Sequence, residues 1–421
     1  MNVSYWIKIF LEHFRKLPDC RLGKNKQYKI EEIASAAFSV FFMQSSSFLA
    51  HQKNLKKRKG DHNGRTLFGV SKIPSDNHIR QTLDTISPDE LEPLFMEMFE
   101  SLDKDEWCVD GRLLIAIDGI TFFSSPTINC DCCLKKQCSN GKTSYTHAAL
   151  CPVVVHPTQK AVFPLPPMFI QNSDGQEKQD CEVNAAKRWI LKNQEFLSQH
   201  KVILLGDDLF SRDPMIKLIK SIPDVDCIFV AKPSSHPSIE PYRERLHESS
   251  KTKVEISDKA FASHVHKYDF SNKIPINGDV NCEDISYFHM EIYNKNNKKL
   301  YTNSFATTIP LTAKNIHTIA CAGRNRWRIE NEAFNVLATR GYHLKHNFGH
   351  GQKNLANFLT TLNILAFTVH NLCQLTDSLF QKVFTAFSSR KQFFQSIVTL
   401  TIFHLFTSWE ELLEFMLESL E

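Results

Sequence analysis

The run Leu113-Leu114-Ile115-Ala116-Ile117-Asp118-Gly119 constrains the fold more than any other stretch of the chain. Leu113 to Ile117 is apolar throughout, with Ala116 the only small side chain. An unbroken apolar run of this length, closed by a glycine, predicts a strand buried on both faces. A carboxylate at the end of such a strand is costly to bury alone. Asp118 therefore calls for a cation, a hydrogen-bond network or a metal, unless it merely caps a turn.

The pattern downstream predicts a mixed α/β sheet around that strand. Residues 146–156 read as a second strand, and 161–170, broken by Pro164, Pro166 and Pro167, as an edge strand. Residues 181–197 read as a helix with Ala185, Ala186, Trp189, Ile190 and Leu197 facing inward. Residues 201–206 predict a fourth, buried strand ending at Asp207-Asp208, followed by a helix at 213–222 and a strand at 227–231. Two further strands, 285–293 and 300–311, flank the polar loop 294–299. Upstream, residues 1–105 read as mostly helical. Ser75 or Asp76 is the expected N-cap of one helix, and Gly60 and Gly64 are expected in an exposed loop. Residues 352–374 carry a helix-period apolar stripe that marks core.

A third acid stands in Arg326-Trp327-Arg328-Ile329-Glu330-Asn331-Glu332, at the start of a helical stretch. Glu330 and Glu332 would lie about 200° apart on a helix, so only one can face a given site. An Asp on the central strand, an Asp ending a neighbouring strand and a Glu on a later helix can converge on one cleft. Converging carboxylates repel unless a cation neutralises them. Oxygen ligands alone select hard divalent ions such as Mg²⁺ or Mn²⁺. Two such ions roughly 4 Å apart suit phosphodiester chemistry.

Three motifs, R-W-R-I-E (326–330), I-D-G (117–119) and G-D-D-L-F (206–210), resemble the DDE transposases of bacterial insertion sequences. These are the group with a Y-x₂-R-x₃-E-x₆-K signature around the catalytic glutamate. The run G-Q-E-K-Q-D-C-E-x-N-A-A-K-R-W (175–189) is similar to a subgroup of them, and the likeness extends over about residues 110–350. The resemblance implies an RNase H-like core and a metal-dependent enzyme that cuts element ends and joins them to target DNA. It makes Asp118 and Glu330 the first and third acids. The D-x-x-[FY] pattern favours Asp207 over Asp208 as the second. It implies two metal ions on Asp118, Asp207 and Glu330, Arg326 on a DNA-strand phosphate, and a homodimer on DNA. Two signature positions depart: the tyrosine is Gly323 and the lysine is Leu337. Arg340, three residues on, is the candidate to replace the lysine's charge. The departures bear on DNA-end contacts more than on the metals.

The expected organisation is a helical, basic, DNA-end-binding region at 1–105, the first part of the catalytic core at 106–234 and a β-rich insertion at 235–320. The glutamate and packing helices of the core follow at 321–375, and C-terminal helices suited to oligomerisation at 376–421. Charge agrees with the first assignment: residues 1–65 hold 13 Lys/Arg against 5 Asp/Glu, including Lys53 and Lys56 to Lys59. The alternatives are an RNase H-like nuclease without strand transfer and a catalytically inactive, transposase-derived DNA-binding protein.

No secretory signal is visible in the first residues, so the expected location is cytoplasmic, on the nucleoid. The one membrane candidate, 393–406, is short and polar-interrupted and reads as a buried helix. The 12 cysteines then argue for reduced thiols or metal ligands. Cys130 and Cys133 form a C-x₂-C pair, and Cys138 is the candidate third zinc ligand, with His147 and Cys151 nearby. His343, His346 and His350 read as hydrogen-bonded structural residues.

Overall fold

The computed structural model describes residues 1–22, 26–138, 141–171, 180–258 and 264–419. It is a mixed α/β protein. Its strands are β1 Cys108–Val109, β2 Arg112–Ser125, β3 Leu134–Gln137, β4 Thr143–Val155, β5 Phe163–Pro164, β6 Met168–Ile170, β7 Ile203–Gly206, β8 Asp226–Val230, β9 Thr252–Asp258, β10 His264–Pro275, β11 Asp284–Tyr293 and β12 Lys299–Thr307. All belong to one sheet, ordered β3-β4-β2-β7-β8-β12-β11-β10-β9, with β5 and β6 also on β4 and β1 on β2.

The apolar run lies at the centre. Leu113 to Ile117 are buried, between β4 on one side and β7 on the other. The pairing with β4 is antiparallel and that with β7 parallel. β2 does not end at Gly119, as the sequence suggested. Pairing with β4 continues through Asp118↔Cys151 to Ser125↔Tyr145. Ile120, Phe122 and Phe123 supply the apolar side chains that keep this extension packed. The shorter partner β7 stops at Ala116↔Leu205. Asp118 therefore sits just beyond the carboxyl end of β7, where open parallel sheets leave a crevice.

The β-rich segment holds four strands rather than the two read from sequence. β9 and β10 alternate charged with apolar residues, as a half-solvated hairpin does. β12 pairs antiparallel with β8 through Phe305↔Val230, so these strands extend the same sheet.

Helix Leu355–Thr376 is buried from Leu355 to Cys373. By length and apolar composition it could cross a membrane, yet 89% of its most apolar window is inside the protein. The helix Ile30–Phe42 packs on it, and helices from both ends of the chain close around the pair. Asn63 donates to the carbonyls of Thr401 (2.6 Å) and His404 (2.7 Å), and the Trp409 indole donates to the Leu67 carbonyl (3.0 Å). The stretch read as a possible span is helix Arg390–Phe403, with Phe393, Phe394 and Ile397 buried. Gly60 and Gly64 are not in an exposed loop. Both are buried in helix Gly60–Phe68, and a Cβ on Gly60 would come 2.5 Å from the Asn54 carbonyl oxygen. Ser75 is the N-cap of helix Asp76–Leu83.

One carboxylate fixes the start of the central helix. Asp84 accepts backbone N–H bonds from Gln352, Lys353, Asn354 and Leu355, all at 2.9–3.0 Å. The last four or so amides before a helix propagates have no partner of their own, and an acid there also meets the helix dipole. Although burial opposes it, these bonds hold the Asp84 carboxyl below the usual range. Its contribution is therefore present above the unfolded-state pKa and lost as pH falls through the lowered folded value. Asp84→Ala should cost about 1–2 kcal/mol of stability near neutral pH, the size of a helix cap. In chemical denaturation the loss should shrink as pH falls through the lowered folded value, where wild type protonates too.

Candidate active site and metal centre

The crevice at the end of β7 is built by three segments. Asp118 projects from β2, and its Oδ1 accepts the N–H of Gly119 at 2.9 Å. The chain leaving β7 turns at Asp207, whose Oδ1 accepts the N–H of Leu209 at 2.9 Å. Such an Asx turn fixes the carboxylate without regular structure. Asp208 is engaged elsewhere: it accepts the N–H of Lys232 at 2.7 Å and lies 3.7 Å from Arg212.

Glu330 stands in a π-helical turn, Ile329–Phe334. Such turns are rare and re-aim side chains at functional sites. Arg326, four residues earlier, places Nη1 2.7 Å from Glu330 Oε1 and 3.4 Å from Asp118 Oδ2. One guanidinium nitrogen thus joins the first and third acids, which are 212 residues apart in sequence. Arg328 fixes the turn from below. It is buried and donates to the carbonyls of Gln159 (2.6 Å) and Pro157 (2.7 Å) and to Asn325 Oδ1 (3.0 Å). Of the two glutamates, Glu330 is the one held at the crevice, through its contact with Arg326.

A fourth carboxylate is present that the sequence reading did not single out. Glu182 opens helix Glu182–Lys192, and its carboxyl group lies over Gly119. A Cβ on Gly119 would be 2.5 Å from the Glu182 carboxyl carbon, so the approach depends on glycine. The only signal for it was its place in the 175–189 run. Residues 175–179 of that run lie outside the described residues.

The acids disturb one another. Burial, the largest effect, pushes Asp118 up to about 6; Arg326 and the Gly119 amide oppose it, and the charges of Asp207 and Glu330 add to it. Glu182 is pushed up to about 7 by burial and then by the charges of Asp118 and Asp207. Its Oε1 is buried without a hydrogen-bond partner. This buried oxygen beside Asp118 and Asp207 is an acceptor left without a partner, costly as it stands.

The two positions that depart from the signature are both packed inside the fold. A Cβ on Gly323 would be 2.7 Å from Ile228 of β8, leaving no room there for a tyrosine. Leu337 is buried in the core, where a lysine would be unpaired. Arg340 is exposed.

A second cluster lies further along β2 and β4. Sγ of Cys130 and Cys133 and Nε2 of His147 and His350 fall within 4.8 Å of one another, all four residues buried, a Cys₂His₂ group that could hold a metal such as zinc. Cys138, expected as the third ligand, is not part of it. His350, expected as a structural histidine, is. The cysteine spacing marked half of the group; the histidines come from β4 and from a segment 203 residues further on. Burial raises the Cys130 thiol to about 11 and lowers His147 to about 4, so both groups stay neutral when no cation is bound.

No protein-family model matches the chain, and no curated protein matches it.

The shared titration of the acids can be measured. Asp118 and Glu182 carry raised pKa values, so the folded protein keeps protons that the unfolded chain releases. In magnesium-free buffer their contribution to stability falls as pH rises from about 4 to about 7. Glu182→Gln removes one acid at nearly constant shape. Its melting temperature should exceed that of wild type at about pH 8, and the gap should close towards about pH 5. A gap independent of pH would place Glu182 outside the cluster.

Proposed function

We propose that the protein is a DDE transposase: a metal-dependent enzyme that cuts DNA at the ends of an insertion sequence and transfers the freed strands into target DNA. The observation that carries this reading is the meeting of Asp118, Asp207 and Glu330 in one crevice. The three come from a strand, a strand end and a helical turn, the placement that the motif resemblance implies. The sheet supports an RNase H-like core. Its order β6-β4-β2-β7-β8 has two antiparallel pairings followed by two parallel ones, with the first acid on the central strand.

Asp118, Asp207 and Glu330 would hold Mg²⁺ or Mn²⁺, and Glu182 offers a further oxygen. When bound, the ions supply Lewis-acid activation of the attacking oxygen, water or a 3′-OH, and stabilisation of the leaving one. Arg326 bridges Asp118 and Glu330 with its single positive charge. A cation taking that role would leave its guanidinium to a DNA-strand phosphate, which its planar fork suits. The exposed Lys53 and Lys56 to Lys59 would contact phosphates at the element ends, with Arg340 as a further contact. Two ends held at once imply a homodimer on DNA, acting in the cytoplasm. An RNase H-like nuclease without strand transfer would use the same acids. Gly323 and Leu337 favour the other alternative, an inactive DNA-binding protein, because they remove two polar contacts of the signature.

A cleavage assay with Mg²⁺ on DNA carrying the element ends, run beside a binding titration at fixed salt, separates these readings. Wild type should cut and join the ends. Asp118→Asn should lower cleavage about a hundredfold or more while end binding changes little, since phosphate contacts do not depend on that carboxylate. Cutting without joining would favour the nuclease, and binding without cutting the inactive protein. Equal cutting by parent and variant would remove Asp118 from the site.

A further inference from the structure

We propose that Cys130, Cys133, His147 and His350 form a structural zinc site that staples the strand pair carrying Asp118 to the segment following Glu330. The inference is independent of any reaction at the acids.

The distances are those of a tetrahedron's edges. With Zn–S of about 2.3 Å and Zn–N of about 2.0–2.1 Å, a tetrahedral ion sets S···S near about 3.8 Å, S···N near about 3.6 Å and N···N near about 3.3 Å. The two sulfurs are 3.8 Å apart. His147 Nε2 is 3.5 Å from Cys130 Sγ and 3.4 Å from Cys133 Sγ, and His350 Nε2 is 3.4 Å from Cys133 Sγ. The two Nε2 atoms are 3.2 Å apart. Hydrogen bonding among four neutral groups would satisfy some of these separations; one central ion satisfies all five.

The surroundings fit as well. His350 Nδ1 lies 2.8 Å from the Gly351 carbonyl oxygen. A proton held there leaves Nε2 with its lone pair, the outer-shell arrangement usual for a metal-ligating histidine. The Cys130 amide points at Cys133 Sγ at 3.4 Å, a donor that would stabilise a thiolate. Phe122 and Phe123 pack against His147, and Phe123 also packs against His350, walling off solvent. Binding converts the two thiols to thiolates and releases two protons. Two thiolates, two neutral imidazoles and Zn²⁺ sum to zero charge, which makes full burial tolerable. Four protein ligands leave no open position, so the site is structural.

The position gives the ion its role. Cys130 and Cys133 follow β2, and His147 lies on β4 opposite Phe123 of β2. His350 lies between the Glu330 turn and helix Leu355–Thr376, next to the residues that Asp84 caps. The ion would cross-link parts of the chain about 200 residues apart, so its binding free energy is folding free energy.

Full-length protein, purified without chelator, should contain one equivalent of zinc by elemental analysis. Replacing zinc with Co²⁺ should give the intense d–d bands of a tetrahedral site and a thiolate-to-cobalt charge-transfer band. Cys133→Ser and His350→Ala should lose the equivalent, whereas Cys138→Ser should keep it. If the first two variants do not fold, the cobalt spectrum of wild type still decides. Folded wild type that holds no zinc and takes up none on reconstitution would overturn the proposal. So would a cobalt spectrum without thiolate bands, or loss of metal in Cys138→Ser.

Discussion

A single guanidinium nitrogen lies between two carboxylates that stand 212 residues apart in the chain. Arg326 at 2.7 Å from Glu330 and 3.4 Å from Asp118 is one positive charge. Asp207 also acts on Asp118, and both Asp118 and Asp207 act on Glu182. In this half-buried crevice, burial and neighbouring charge raise Asp118 to about 6 and Glu182 to about 7, so each holds its proton to a higher pH than in the unfolded chain. Under the proposed function a cation would take over from these protons, and Arg326 is the group that would change partners.

The rest of the fold keeps those acids from drifting apart. β2 outlasts its parallel partner β7, which opens the crevice beside Asp118 and places Asp207 at its rim. Gly119 lets the first turn of helix Glu182–Lys192 approach the strand closely enough for a fourth carboxylate. Arg328, buried against the carbonyls of Pro157 and Gln159, holds the π-helical turn to the segment after β4. Beyond the turn, Asp84 and the Cys₂His₂ group hold the chain on either side of Gly351. Backbone, glycine, buried arginine and the cysteine–histidine cluster thus act on one geometry.

Much of this was legible in the sequence, and the parts that were not share a cause. Asp118 stood out because an apolar run leading into an acid is costly unless the acid has work to do. Asp207 and Glu330 followed from their places after a buried strand and in R-W-R-I-E. Glu182 did not stand out, because an acid in the first turn of an amphipathic helix is ordinary and its approach to Gly119 is a tertiary contact. The extension of β2 past Gly119 was hidden because glycine usually closes such runs; here β4 continues to pair with it. Cys130 and Cys133 announced themselves by spacing. His147 and His350 are lone histidines 203 residues apart, and only the fold brings their Nε2 atoms to 3.2 Å. Cys138 had the better sequence position and lies outside the group.

Anomalous diffraction from crystals of the protein grown with Mn²⁺ tests the proposed metal-binding role of the acids most directly. Manganese should appear between Asp118, Asp207 and Glu330, with the Arg326 guanidinium drawn away from Asp118. Saturating Mn²⁺ with no anomalous peak among these carboxylates, and Arg326 still bridging Asp118 and Glu330, would contradict it.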